Sequence, residues 1–321
     1  MDFLAWARGR KLPTALQSRE GWARLFEHYR SDEPHVHQIE PTNACPYTCI
    51  MCPRESSMTR GRGLMDMEIF RKIINEIATY SPAVKEKELE LFHFGESLLH
   101  PRLPEMVGMA SSADLRPVLS INPVDLPPET AAKLLQNRPY RIIVSLDSMD
   151  AARFMHIRGR HAELDTAIRN TEALLETRAR QKSNTPIVVR MIVMNMNRNE
   201  TESFTQFWQE RGAEVELREF FPWSRKELED LGKVEKYPPY MPCPFPWQYL
   251  VVQWNGDVVA CCRDYNGTLK LGNVREQSLK DIWNGPAYRQ FRESMATGQG
   301  LCEFCNECLD IYYQEPVSTT E

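Results

Sequence analysis

Short apolar runs, often β-branched, alternate along this chain with segments whose apolar positions recur every three to four residues. The runs at 36–40, 88–94, 117–122, 141–147, 187–193 and 214–219 read as strands. Most are nearly continuous in apolar residues, as strands buried on both faces of a parallel sheet are. The clearest helix takes Asp66 as its N-cap and sets Ile69, Phe70, Ile73, Ile74 and Ile77 on one stripe. Helical patterns at 103–113, 128–136, 165–180 and 201–211 complete a series of βα units. Right-handed crossovers then leave an open doubly wound sheet or a barrel, and periodicity does not choose between them.

The rhythm changes after residue 222. Residues 224–242 are charged and Pro-bearing, the composition of a linker. Residues 249–254 and 257–260 then form a predicted hairpin, with Asn255-Gly256 supplying the positive φ angles of a type I′ turn. Short helices are expected at 278–283 and 287–295. The expected organisation is an N-terminal extension (1–35), an α/β domain (36–222) and a small cysteine-rich domain (223–321).

Composition narrows the chemistry. The 321 residues correspond to roughly two domains, and 42% of them are apolar, enough for a core. With 39 basic and 44 acidic residues the formal charge is −5, so no footprint for nucleic acid or an anionic membrane is visible. No run approaches the ~20 apolar residues of a membrane span. Residues 1–12 are broken by Arg8, Arg10 and Lys11 and lack a secretory core, so a cytoplasmic location is expected. A reducing compartment does not sustain structural disulfides, which leaves nine cysteines to metal chemistry.

Cys45, Cys49 and Cys52 form a C-x3-C-x2-C run directly after the first strand. Structural zinc takes four protein ligands. No fourth Cys or His lies within easy loop reach, although the fold could recruit His93 or His100. An iron-sulfur cluster with one iron left open fits better.

This spacing, in a six-fold βα pattern, resembles the radical S-adenosylmethionine (radical SAM) enzymes. The resemblance implies a partial (β/α)6 TIM-like barrel whose three cysteines hold a 4Fe-4S cluster, with the open iron binding S-adenosylmethionine. Phe94-Gly95-Glu96 is similar to the family's Gly-Gly-Glu segment, which receives the cofactor's amino group, with Phe replacing the first Gly. Ser120, Asn122, Ser145 and Asp147 at strand ends, and Arg158 in Ile157-Arg158-Gly159, match positions that contact the ribose and carboxylate. As an ordinary fold, the same strand-end residues are loop caps and Arg158 is a solvated arginine.

Cys243, Cys261, Cys262, Cys302, Cys305 and Cys308 occupy the last quarter. Six thiols exceed one cluster's needs and fall short of two, so one auxiliary 4Fe-4S cluster, on Cys243, Cys261, Cys302 and either Cys305 or Cys308, is the economical reading. Gly256-x4-Cys261 resembles the opening of the SPASM domain, and the short cysteine set its "twitch" variant. Zinc is the alternative occupant. Cys262 is left over, either as a small buried hydrophobe or as a catalytic thiol that gives a hydrogen atom to a substrate radical.

The resemblance implies a 5′-deoxyadenosyl radical that takes hydrogen from an unactivated C–H bond. The short chain with a twitch-like tail is similar to aminocyclitol dehydrogenases and aminoglycoside epimerases, so the expected reaction is oxidation or inversion of a carbinol carbon in a small molecule, with a flavodoxin- or ferredoxin-type reductant. Peptide modification is the second reading, disfavoured by the few residues before strand one. A non-catalytic iron-sulfur electron carrier is the third. Arg190, Glu216, Arg218 and Glu219, with 220–223, are candidate substrate-facing positions, because charges in buried strands are costly unless paired.

Overall fold

A computed structural model describes residues 13–312 apart from 224, 235, 238 and 239, so the N-terminal stretch 1–12 lies outside the described residues. One nine-stranded sheet organises the chain, in the order β6-β5-β4-β3-β2-β1-β7-β8-β9. β1 (Val36–Ile39), β2 (Glu88–Glu90), β3 (Arg116–Ile121), β4 (Arg141–Ser145), β5 (Ile187–Val193) and β6 (Glu214–Glu219) are parallel and follow sequence order. Such an order has no reversal point, so every right-handed crossover places its helix on the same face. The sheet curls as a partial barrel, which excludes the doubly wound alternative.

Strand alternation separates the two faces. Leu89, Leu119, Ile121, Ile142, Val144, Val189, Met191 and Val193 pack outward into the main core with the helices. That core includes the helix Met67–Ile77, where Asp66 caps Glu68 N–H at 2.7 Å and the expected stripe is buried. Val118, Ile143 and Val188, with Phe92, form a small inner cluster. Most of the other inward positions are polar, namely Gln38, Glu90, Ser120, Ser145, Arg190, Glu216 and Arg218, with Ile192 the apolar neighbour of Arg218. Glu219 is a correction, because it falls on the other face of β6 and pairs at the surface with Arg198 at 2.7 Å.

β7 (Leu250–Val252) pairs in parallel with β1, and β8 (Asp257–Val259) and β9 (Lys270–Asn273) continue antiparallel. The C-terminal hairpin therefore extends the barrel sheet. Its turn differs from expectation: Gly256 N–H donates to the Gln253 carbonyl at 2.9 Å, and Gly256 has positive φ while Asn255 does not. The Asn255 side chain accepts Asp257 N–H at 3.1 Å, which favours a type I turn followed by a left-handed glycine over type I′. A helix at Arg19–Tyr29, capped by Ser18 and burying Trp22 and Phe26, covers the N-terminal side. Among the described residues no helix is long and apolar enough to cross a membrane.

Candidate active site

The cysteine loop leaves β1 at Glu40 and is held by backbone. Thr48 and Ile50 N–H groups donate to the carbonyls of Arg158 and Ile157 (3.2 and 2.9 Å), the last residues of the helix Ala151–Arg158. Gly159 permits this docking: its φ is +93°, and a Cβ there would meet Thr48 Oγ1 at 2.1 Å. Cys52 N–H donates to the Cys49 carbonyl at 3.0 Å, turning the third thiol back toward the second. Buried Arg54 donates to the Tyr47 carbonyl, and Tyr47 donates to Asp125 (both 2.6 Å). Arg158 donates from Nε to Asp147 at 2.6 Å and keeps its charge behind Cys49. Burial pushes the Cys45 and Cys49 thiols up to about 12.

Phe94, Gly95 and Glu96 lie against this loop, but not as the end of a strand. β2 stops at Glu90, and the chain crosses the end of β1, with Phe94 N–H on Glu40 (3.3 Å) and Glu96 N–H on the Ala44 carbonyl (2.8 Å). Gly95 is required there. Its φ is +121°, and a Cβ would stand 2.2 Å from the Thr42 carbonyl oxygen. Buried Glu96 accepts Leu98 and Asn122 N–H at 3.1 and 2.8 Å, yet burial still raises its carboxyl to about 7. Asn122 accepts Val124 N–H through Oδ1, while its buried Nδ2 has no partner. Ser120 and Ser145 touch through their hydroxyls at 3.3 Å on the inner wall. Phe94 packs on His93, Trp223 and Tyr265, with ring centroids 4.3, 5.1 and 6.1 Å apart.

At the other end, Cys243, Cys261, Cys305 and Cys308 line one apolar cavity with Phe245, Phe291, Met295 and Phe304. Cys308 Sγ accepts from Arg263 Nη1 at 3.0 Å, and Arg263 also stacks on Tyr312 at 3.8 Å. Cys302 stands beside that lining, hydrogen-bonded to Cys305. Cys262 points elsewhere: its Sγ meets Tyr249 Oη at 3.4 Å, and its carbonyl stands 2.8 Å from His93 Nε2.

Sequence spacing missed several parts. Glu40, fully buried, grips Arg60 through both oxygens. Tyr249 and Arg263 were also missed. The one local signal was position, since Glu40 ends the first strand and Arg263 follows the paired cysteines.

A model of the radical SAM superfamily matches residues 39–207, more than half of the chain, and one described as the SPASM iron-sulfur cluster-binding domain matches 243–309. A tungsten-containing aldehyde ferredoxin oxidoreductase cofactor-modifying protein of Pyrococcus furiosus is 24% identical over 315 residues, covering 84% of this chain and 86% of that protein. An S-adenosyl-L-methionine-dependent 2-deoxy-scyllo-inosamine dehydrogenase of Niallia circulans is 23% identical over 281 residues (86% and 93%). The fold is similar to that of BtrN in complex with AdoMet and 2-DOIA, at TM-score 0.56 and 18% identity, covering 85% and 92%.

The site residues fit the groups these domains imply. Three clustered, partly buried thiols are ionised only by a cationic partner, which irons supply. The orphaned Asn122 Nδ2 offers a donor to a ligand rich in acceptors. No three His, Cys, Asp or Glu side chains among the described residues lie at single-ion spacing, and a cubane, whose ligands sit on separate irons, does not require it. The chain belongs to the radical SAM superfamily and uses S-adenosylmethionine, a 4Fe-4S cluster and auxiliary iron-sulfur chemistry in a C-terminal SPASM domain.

Proposed function

We propose that this enzyme oxidises or inverts a carbinol carbon of a sugar- or aminocyclitol-type small molecule. Cys45, Cys49 and Cys52 hold the first cluster. Glu96 and the Phe94-Gly95 backbone receive the cofactor's amino group, Asn122 Nδ2 donates to its acceptors, and Ser120, Ser145 and Arg158 bound the rest of the cofactor. Once bound, the cofactor and cluster supply a hydrogen-abstracting carbon radical. Cys243, Cys261, Cys305 and Cys308, which line one cavity, hold the auxiliary cluster in place of the expected set with Cys302, which stands beside that lining. The partial barrel positions the target carbon and limits water.

The observation that carries this reading is Cys262. Its thiol packs beside Cys261 but is not part of the auxiliary lining, touches Tyr249, and feels the charge of Arg263 first and then those of the inward residues Glu90 and Arg218. A thiol so placed restores a C–H bond: S–H breaks, C–H forms, and an electron and a proton from a flavodoxin- or ferredoxin-type donor regenerate the thiol. The dehydrogenase relative, aligned over 93% of its own length, supports the small-molecule class.

The test is anaerobic turnover of Cys262→Ala in deuterated water with an aminocyclitol. Loss of the inverted product with continued 5′-deoxyadenosine release assigns the hydrogen donation to Cys262. Full turnover of the variant removes that role and leaves oxidation. Absence of 5′-deoxyadenosine from the reduced wild type overturns the enzymatic reading.

A further inference from the structure

One wall of the lumen carries polar atoms that do not satisfy one another. Gln38 and Glu90 are direct partners across β1 and β2. The Gln38 amide nitrogen donates to Glu90 Oε2 at 2.6 Å. This fixes the amide's orientation, because a carboxylate has only acceptors to offer it. Gln38 Oε1 is then left buried without a hydrogen-bond partner, on a residue only 8% exposed.

Among the described residues no arginine or lysine pairs with Glu90. His37 Nε2 stands 3.7 Å from the same carboxylate oxygen, but burial, followed by His93 and Arg218, pushes that imidazole down to about 4, so it is neutral. Arg141 is committed to Glu88 at 2.7 Å and Arg190 to Glu216 at 2.8 Å. Arg218 is exposed on β6, the edge strand, and makes no ion pair among the described residues. Burial raises the Glu90 carboxyl despite these surroundings. A carboxylate only 12% exposed beside an orphaned carbonyl oxygen is costly unless a ligand with several N–H donors and a positive charge completes it.

We propose that Glu90 and Gln38 Oε1 form an ammonium subsite for the protonated amine of the substrate, with Arg218 donating to hydroxyl oxygens of the same molecule. This rests on the small-molecule reading above and narrows it to an amine-bearing polyol. A primary ammonium brings three donors and one charge, whereas a hydroxyl brings one donor and no charge. Gln38 and Glu90 sit on regular strands, so the subsite is rigid.

The experiment measures anaerobic binding to the reconstituted enzyme with S-adenosylmethionine. The probes are 2-deoxy-scyllo-inosamine and the same cyclitol with hydroxyl in place of amine. The wild type is expected to prefer the amine at least tenfold. Glu90→Gln should lose that preference while keeping thermal stability, because the Gln38 amide still finds an acceptor there, and Gln38→Leu should reduce it. Equal binding of both probes, or a preference that survives Glu90→Gln, overturns the subsite even if the hydroxyl probe is turned over. Glu90-dependent amine binding without turnover supports the subsite and sinks the reaction class. Binding of neither probe overturns both.

Discussion

Gly95→Ala tests whether the cofactor segment is locked to the cysteine loop by backbone contact. At φ +121° a side chain carries about 1–2 kcal/mol of conformational strain. The added Cβ would lie 2.2 Å from the Thr42 oxygen and 2.7 Å from Asn43 Cα, against ordinary contacts of 3.4 Å and more. Both neighbours are backbone, so no side chain can swing aside, and Thr42–Asn43 must retreat by roughly 1 Å, on the order that costs about a hundredfold in rate when reacting groups are misplaced. That segment leads directly into Cys45. Expected results are a melting temperature lowered by several degrees, a reduced iron content after reconstitution, and S-adenosylmethionine cleavage down about a hundredfold. Gly61→Ala, whose carbonyl accepts from Asn43 at 2.9 Å but which has nothing within 4 Å of its Cβ, serves as the silent control. If Gly95→Ala matches the control in both melting and cleavage, the interlock is wrong.

Three further outcomes follow from side chains. Glu40→Gln leaves the Arg60 guanidinium, only 11% exposed, without its counter-charge and should cost about 3–5 kcal/mol; denaturation midpoints that stay put would contradict it. With the Glu96 carboxyl raised to about 7, accepting from the cofactor's amino group must expel a proton from Glu96 below that pH. Affinity for S-adenosylmethionine should therefore climb by at least roughly tenfold per unit up to about 7, and a Kd that is constant from pH 5.5 to 7 would refute this. In a background lacking Cys45, Cys49 and Cys52, Cys308→Ser should lose the auxiliary cluster's absorbance and iron while Cys302→Ser retains them. The reverse result would return Cys302 to the ligand set.

What could be read from the chain alone was local. β5 ends where its apolar run ends and β6 where its alternation ends, and Asp66 caps its helix because a short acceptor precedes a stripe of isoleucines. The cysteine triplet is legible for the same reason, since all three ligands share one loop. β2 reads too long because Phe92 and Phe94 look like strand residues, while the left-handed Gly95 takes the chain across β1. β9 was missed because Lys270–Asn273 has one buried apolar side chain, Leu271, and draws its stability from pairing with β8. The helix Ala151–Arg158 buries only Phe154 and Ile157, too faint a stripe to declare itself, yet its last carbonyls hold the cysteine loop. Gln38 opposite Glu90 depends on strand order and register, which no window of neighbouring residues contains.

Glu40 shows how the two halves of the molecule become one. Burial alone would push its carboxyl up, but the His93 ring 3.5 Å away and the hydrogen bonds from Arg60 outweigh that and hold it below the ordinary range. Its donors come from three places: Arg60 from the chain returning after the cysteine loop, Phe94 N–H from the cofactor segment, and Trp254 N–H from the hairpin turn. Arg60 in turn donates from Nε to the Tyr265 carbonyl at 2.6 Å, and Asn266 accepts Thr59 N–H at 2.7 Å. Charge-assisted bonds at a fully buried carboxylate are strong and directional, and each is lost if its partner segment shifts. A displacement of the hairpin therefore reaches Phe94 through a single side chain. β7 beside β1 sets the same relation in backbone. The two cysteine sites are fixed relative to each other by a continuous sheet and an ionic knot, independently of the charged connection that joins them in sequence.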